Sequence, residues 1–286
     1  YFTHEAVDFE PVVDENGEPV ISHYGLQKAK VKAFKAVPLP YFLEGPARMM
    51  GYVDVDTARD MFDKVKKTDL YDKKLAMYKT SASIEGCSME NGRCRAFTPG
   101  WQERENVFLH MEYKYILAML KAGLYDEYYD TITRALIPFL DPNMYGRSTL
   151  ENSSFLASSA NPNPDVHGRG FVARLSGSTT EMISMWIEMF IGDKVFTYED
   201  GKLVLNFEPK LANWLFDEGK AIFRLLSTCD VTYVNNTGKN TFGKDAAKVS
   251  KIEINGEVVS TEPKIVGEKA EAVRNGEIDK ITVYFE

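Results

Sequence analysis

The segment Val166-His167-Gly168-Arg169-Gly170-Phe171-Val172-Ala173-Arg174-Leu175-Ser176-Gly177-Ser178-Thr179-Thr180-Glu181 concentrates residue types that can hold an anion. Ser178 followed three residues later by Glu181 reads as a capping box, which predicts a helix start here. Unpaired amides and the positive end of the helix dipole would then face whatever occupies the Ser176-Gly177 turn. Gly177 lets the backbone approach a ligand closely, Ser176, Ser178 and Thr179 add hydroxyls, and Arg169 and Arg174 carry guanidinium groups suited to a tetrahedral anion. This is the composition of a phosphate cradle. The plainer alternative is an ordinary capped helix with two surface arginines.

His110, in Phe108-Leu109-His110-Met111-Glu112-Tyr113, stands in the first turn of the strongest helical pattern in the chain. It reads either as a second phosphate ligand or as a hydrogen-bonded core imidazole. His167 falls in a loop, whereas His4 and His23 lie in the N-terminal segment and are assigned no role. The histidines show no metal-binding spacing. Cys87, Cys94 and Cys229 form no Cys-x-x-Cys and read as buried or idle thiols of a reducing compartment. Among carboxylates, Glu103, Glu105 and Glu112 surround the start of the His110 helix. Glu151 sits in Tyr145-Gly146-Arg147-Ser148-Thr149-Leu150-Glu151-Asn152. Tyr145, Arg147, Glu151 and Asn152 together supply the stacking and hydrogen-bonding groups of a sugar subsite; each carboxylate is otherwise a solvated surface group.

The elements that must position these residues follow from composition and periodicity. The chain has 286 residues, 44% of them hydrophobic, with 34 Lys and Arg against 42 Asp and Glu for a net charge of −8. That length suggests about two domains, and this charge without a basic block argues against nucleic acid. No apolar run is long enough to span a bilayer; the longest candidate, 182–191, contains Glu188. Absence of a leader predicts a cytoplasmic protein, and a start at Tyr1 without Met reads as a piece of something longer.

Residues 1–45 read as an irregular connector, with a turn at Glu15-Asn16-Gly17-Glu18-Pro19. From 46 to 192 the apolar period is helical. Helices are expected over 57–67 capped by Asp56, over 106–122 ended by Gly123, over 127–140 capped by Asp126, and over 179–191 ended by Gly192. Between the last two lies a long loop, a length that is usually functional. From 193 to 286 the period switches to two, with strands expected at 202–207, 221–226, 231–234, 249–254, 257–260 and 280–285, the pattern of a β-sandwich.

The ordered motifs resemble the cellobiose phosphorylase family, glycoside hydrolase family 94. Phe97-Thr98-Pro99-Gly100-Trp101 opens the resemblance and Phe108-Leu109-His110 matches a His that follows an aromatic. Glu151-Asn152-Ser153-Ser154-Phe155 matches a Glu-containing motif, Gly168-Arg169-Gly170 a Gly-Arg-Gly, and Ser176-Gly177-Ser178-Thr179 with Trp186 a Thr-Gly-Ser-Ala turn opening a helix. The resemblance is strong over about a third of the chain. It implies a mixed α and β protein: the C-terminal part of an (α/α)6 barrel over 46–192, then an antiparallel, jelly-roll-like β-sandwich over 193–286. It further implies an inverting phosphorylase that cleaves a β-glucoside or β-glucan oligosaccharide with inorganic phosphate, giving an α-sugar 1-phosphate. His110, Ser176, Gly177, Ser178, Arg169 and Arg174 would hold phosphate, and Tyr145, Arg147, Glu151, Asn152 and His167 the sugar. Phosphate is a co-substrate, and no metal or organic cofactor is implied. The expected partners are oligosaccharide and phosphate, with neither nucleic acid nor membrane, and a homodimer is left open.

The chain departs from the family at Ser176, where Thr is usual, at Glu151, which Asn-Ser follows rather than Pro-Tyr, and at Ala173-Arg174-Leu175, which replaces aromatics. No Asp-Trp-Asn-Asp-like motif occurs, so the general acid would lie upstream and this chain alone would be inactive. The rival readings are a glycoside hydrolase on the same barrel, with Glu103, Glu112 or Glu151 activating water, and a non-catalytic carbohydrate-binding protein.

Overall fold

A computed structural model of the chain describes residues 2–172 and 177–286. The chain divides into two compact units, 1–41 and 42–286. The first is a correction to the expected irregular connector, because β1 (Phe2–Pro11) and β2 (Ala29–Pro38) pair antiparallel along their length. Simple alternation does not reveal it. A register shift on each strand, between Ala6 and Phe9, breaks the period of two, then restores it with Phe9 opposite Val31. The partner pairs Phe2–Pro38, Ala6–Phe34 and Phe9–Val31 are apolar, whereas Glu5–Lys35 and Glu10–Lys30 are charged, so the hairpin is amphipathic. At its tip Asp14 accepts from the Asn16 and Glu18 amides.

The second unit is mixed α and β. Its helical part comprises α1 (Glu44–Met49), α2 (Val55–Lys67), α3 (Leu109–Lys121), α4 (Tyr125–Ala135), α5 (Pro142–Tyr145) and α6 (Gly177–Phe190). Interleaved are short strands: β3 (Tyr71–Asp72) with β4 (Met77–Tyr78), and β5 (Val107–Phe108), β6 (Phe155–Leu156) and β7 (Gly170–Phe171). Helix α3 packs against α6, α1 and α4. Tyr78, Tyr113, Tyr115, Tyr128 and Tyr145 are fully buried around it, an aromatic-heavy core. The end of α3 is set by Gly123 at φ +81°: Leu124 N–H bonds Met119 and Gly123 N–H bonds Leu120, which satisfies the last carbonyls. Among the described residues the helices do not close a barrel.

Helix boundaries correct the sequence reading: α3 starts at Leu109, after β5, and not at 106, and α4 starts at Tyr125 with Leu124, not Asp126, at its N-cap. Asp54, not Asp56, caps α2, because its carboxylate accepts from the Asp56 and Thr57 amides. The segment expected as one helix over 127–140 breaks at Leu136, ahead of Pro138, into α4 and a single 3-10 turn, Ile137–Phe139.

The C-terminal part holds β8 (Phe196–Glu199), β9 (Lys202–Asn206), β10 (Lys220–Leu225), β11 (Cys229–Asn235), β12 (Val249–Ile254), β13 (Glu257–Ser260), β14 (Lys264–Val266), α7 (Glu268–Arg274) and β15 (Lys280–Phe285). One sheet runs β10-β11-β15-β12-β13 and a second β14-β9-β8. The first corrects the expectation of a purely antiparallel sandwich: β11 and β15 run parallel at its centre, from Asp230 opposite Lys280 to Asn235 opposite Phe285. Parallel neighbours need a long crossover, and the chain between them carries α7. Strands and helices share one core. Tyr233 Oη donates to the Phe190 carbonyl at the end of α6 at 2.5 Å, and the Lys210 amide to that of Met189 at 2.7 Å. Among the described residues no helix is long and apolar enough to cross a membrane.

Because Asp54 alone satisfies the first amides of α2, Asp54→Ala is expected to lower the thermal midpoint clearly more than Asp56→Ala, as calorimetry would measure.

Candidate functional site

The strands β5, β6 and β7 contribute two residues each, yet they organise the candidate site. Val107 pairs with Leu156 and Leu156 with Gly170, while Phe108 pairs with Phe155 and Phe155 with Phe171. Val107 and Leu156 are fully buried, so the first set faces the core and the three phenylalanines form a row on the other face. Ring centroids are 4.7 Å apart for Phe108–Phe155 and 5.4 Å for Phe155–Phe171. Trp101 continues the row at one end, stacked on Phe171 at 3.8 Å with planes 2° apart. His110 continues it at the other, edge-on to Phe108 at 5.8 Å.

Each end is held in place. The turn that presents Trp101 is fixed from below by buried Arg104, whose guanidinium donates to the carbonyls of Arg95 (3.1 Å) and Phe97 (2.9 Å) and pairs with Glu105 and Glu85. At the other end the ring of His110 lies against Gly177, the first residue of α6, so closely that a Cβ there would overlap it. Nε2 of His110 lies 3.3 Å from Oε1 of Glu181, one turn into α6. His110 and Gly177 are thus neighbours despite their separation in sequence.

The remaining expected site residues divide. Ser176 and Arg174 lie outside the described residues. Ser178 is not a cap: it stands inside α6, is 1% exposed, and its hydroxyl points to the Ser153 carbonyl at 3.5 Å. Glu181, its expected capping partner, turns to His110 instead. Arg169 donates from Nε to the Asp165 carbonyl at 3.0 Å and lies against Gly146. Among the described residues no hydrogen bond or ion pair joins it to His110.

Of the expected sugar ligands, Tyr145 is fully buried, accepts from the Ser153 amide (2.8 Å) and donates to the Glu151 carbonyl (2.7 Å). Its ring packs against Gly170, so it serves as a core residue and not as a stacking platform. Arg147 pairs with Glu151 at 2.8 Å. Asn152 accepts from Tyr113 Oη at 3.2 Å and approaches Met182 through Nδ2. His167 donates from Nε2 to the Asn161 carbonyl (2.8 Å), leaving Nδ1 to accept from the Lys74 ammonium (2.7 Å). That pins it in the loop.

The carboxylates considered for water activation are all engaged. Glu103 receives both arms of Arg93, Glu151 receives Arg147, and Glu112 is wholly buried. Burial pushes the Glu112 carboxyl up to about 8, with the Tyr78 amide at 2.8 Å opposing the shift. All three cysteines are free, and burial raises the Cys229 thiol to about 11. Among the described residues no His, Cys, Asp and Glu cluster could hold a metal ion.

Sequence reasoning missed both Glu181 as a partner of His110 and the aromatic row. The row has no signal in any one segment, since its members come from four places in the chain. No protein-family model matches the chain, and no curated protein matches it.

Glu112 makes a pH prediction. Its folded pKa, about 8, lies above the unfolded value near 4.5, so the folded chain binds more protons between these values and stability falls as pH rises through that window. The slope is at most about 1.4 kcal/mol per pH unit. Glu112→Gln should flatten the decline in urea-unfolding free energy between pH 5 and 8.

Proposed function

We propose that this chain carries the phosphate-holding and sugar-stacking part of an inverting phosphorylase acting on a β-glucoside or β-glucan oligosaccharide. The observation that carries the reading is the aromatic row ending on His110, where the imidazole lies on Gly177 at the first turn of α6. Flat apolar rings suit the C–H faces of pyranose rings, and an imidazole beside a helix start suits an oxyanion.

In the proposed reaction a phosphate oxygen attacks the anomeric carbon. The glycosidic C–O bond breaks, and the leaving oxygen takes its proton from a general acid. Phosphate takes the place of the base-activated water of an inverting glycosidase. Already anionic, it needs holding and orienting more than deprotonating. The proposal assigns the residues around His110 to holding and Trp101 to stacking; it assigns proton donation to none of them. The helices 44–190 would form part of an (α/α)6 barrel and the two C-terminal sheets the accompanying sandwich, in a cytoplasmic enzyme.

A hydrolase needs a carboxylate free to activate water, and Glu103, Glu112 and Glu151 are all committed elsewhere, which favours phosphate. A purely carbohydrate-binding protein would explain the aromatic row but leave the His110–Gly177 contact without use.

The test is titration of the 286-residue chain, by calorimetry, with inorganic phosphate and separately with β-linked gluco-oligosaccharides. His110→Ala should weaken phosphate roughly ten- to a hundredfold and leave the oligosaccharide unchanged. Trp101→Ala should do the reverse, weakening the oligosaccharide about tenfold. Gly177→Ala should also weaken phosphate, because the added methyl displaces the imidazole. Phosphate binding that survives His110→Ala would sink the reading.

A further inference from the structure

Glu181 poses a problem for any anion at His110. Its carboxylate already stands 3.3 Å from Nε2, at 16% side-chain exposure against 34% for the imidazole. A second anion at the same ring must either tolerate this charge or displace it.

The surroundings supply a second resting place. Next to Glu181 opens a cavity of about 260 Å³ that Arg48, Lys114 and Lys121 also line. Arg48 pairs with Glu44 at 2.8 Å and Lys121 with Asp193 at 3.3 Å. Lys114, half-buried, has no ion pair or hydrogen bond among the described residues. It follows His110 by four residues on α3, so both face the same way about one helical turn apart, about 6 Å along the axis. Helix α6, which carries Glu181, packs along α3.

We propose that Glu181 is a built-in competitor for the anion at His110. Its carboxylate occupies the imidazole when no anion is bound and moves one turn along α3 to Lys114 when one is. The inference rests on the phosphate reading above and adds to it the residue that sets the affinity. After the exchange each group has a partner: Glu181 trades the histidine for the lysine, and the arriving oxyanion takes the histidine. An anion of lower charge density would displace the carboxylate less readily, so Glu181 also acts as a selectivity filter.

The test follows the His110 ring signals by NMR in the full chain during titration with inorganic phosphate, with His110→Ala used to assign them. Glu181→Gln keeps the shape and removes the competing charge, and should tighten phosphate roughly tenfold. Lys114→Met should weaken phosphate severalfold in the wild-type background and have no effect on top of Glu181→Gln. The proposal is overturned if Glu181→Gln weakens phosphate, since the carboxylate would then be supporting the imidazole. It is also overturned if Lys114→Met acts equally in both backgrounds, since the lysine would then touch the anion directly. If phosphate moves the His110 signals in no variant, the phosphate reading falls and the competitor with it. Tighter binding in Glu181→Gln with the predicted Lys114 dependence establishes both.

Discussion

The register of three two-residue strands governs the region that carries the proposed chemistry. Pairing Val107 with Leu156 and Gly170 sends one side of β5, β6 and β7 into the core, and the pleat then forces Phe108, Phe155 and Phe171 onto the other. The ladder continues past the strands: the Leu109 amide bonds the Ser154 carbonyl at 3.0 Å and the Ala157 amide bonds that of Arg169 at 3.0 Å. Helix α3 leaves directly from β5, and α6 begins a few residues after β7. The small sheet is therefore the brace that sets His110 beside Gly177. A slip of one residue in either pairing would bury the phenylalanines and expose Val107 and Leu156.

Polar groups buried beneath this brace are the cost of holding it. Arg104, 4% exposed, gathers the carbonyls of Arg95 and Phe97 and the carboxylates of Glu85 and Glu105, and so holds the turn that carries Trp101. Asp72, 2% exposed, accepts from the amides of Lys74, Leu75 and Ser159 and from the Ser159 hydroxyl, tying the β3–β4 turn to the long loop. Glu112 sits in α3 behind His110 and accepts from the Tyr78 amide, with its other oxygen unpartnered. A carboxyl so placed is most easily kept neutral, which accords with its raised pKa. The buried charges thus fix the backbone, whereas Glu181, beside His110, pairs with a side chain.

Much of this architecture is legible in the chain itself. The switch of apolar period near Gly192 separates α1–α6 from the two larger sheets, although the short strands β3–β7 precede it and α7, which no periodicity announces, follows it. Strands β12, β13 and β15 fall at the expected residues: β15 alternates between core and surface, and the Asn255-Gly256 turn places β13 after β12. The hairpin of the first unit is hidden because its paired bulges interrupt that alternation. The parallel pairing of β11 with β15 is equally invisible: a strand's own pattern says which side is buried but not which neighbour it meets or in which direction.

For the site, the residue types identified His110 and Gly177 as worth attention, and a helix beginning near Ser178 follows from local composition. Tertiary structure alone decided their use. Ser178 and Glu181 have the spacing of a capping box, yet Ser178 turns its hydroxyl toward Ser153 and Glu181 reaches across to α3. Tyr145 looks like a sugar platform until Gly170 and the Ser153 amide are seen to enclose it. The aromatic row is the clearest case. Trp101, Phe108, Phe155 and Phe171 fall in separate motifs with nothing to join them, since a strand of two residues has no period to read. Only pairing of distant segments brings their rings into contact, and contact between distant segments is the one thing local sequence does not encode.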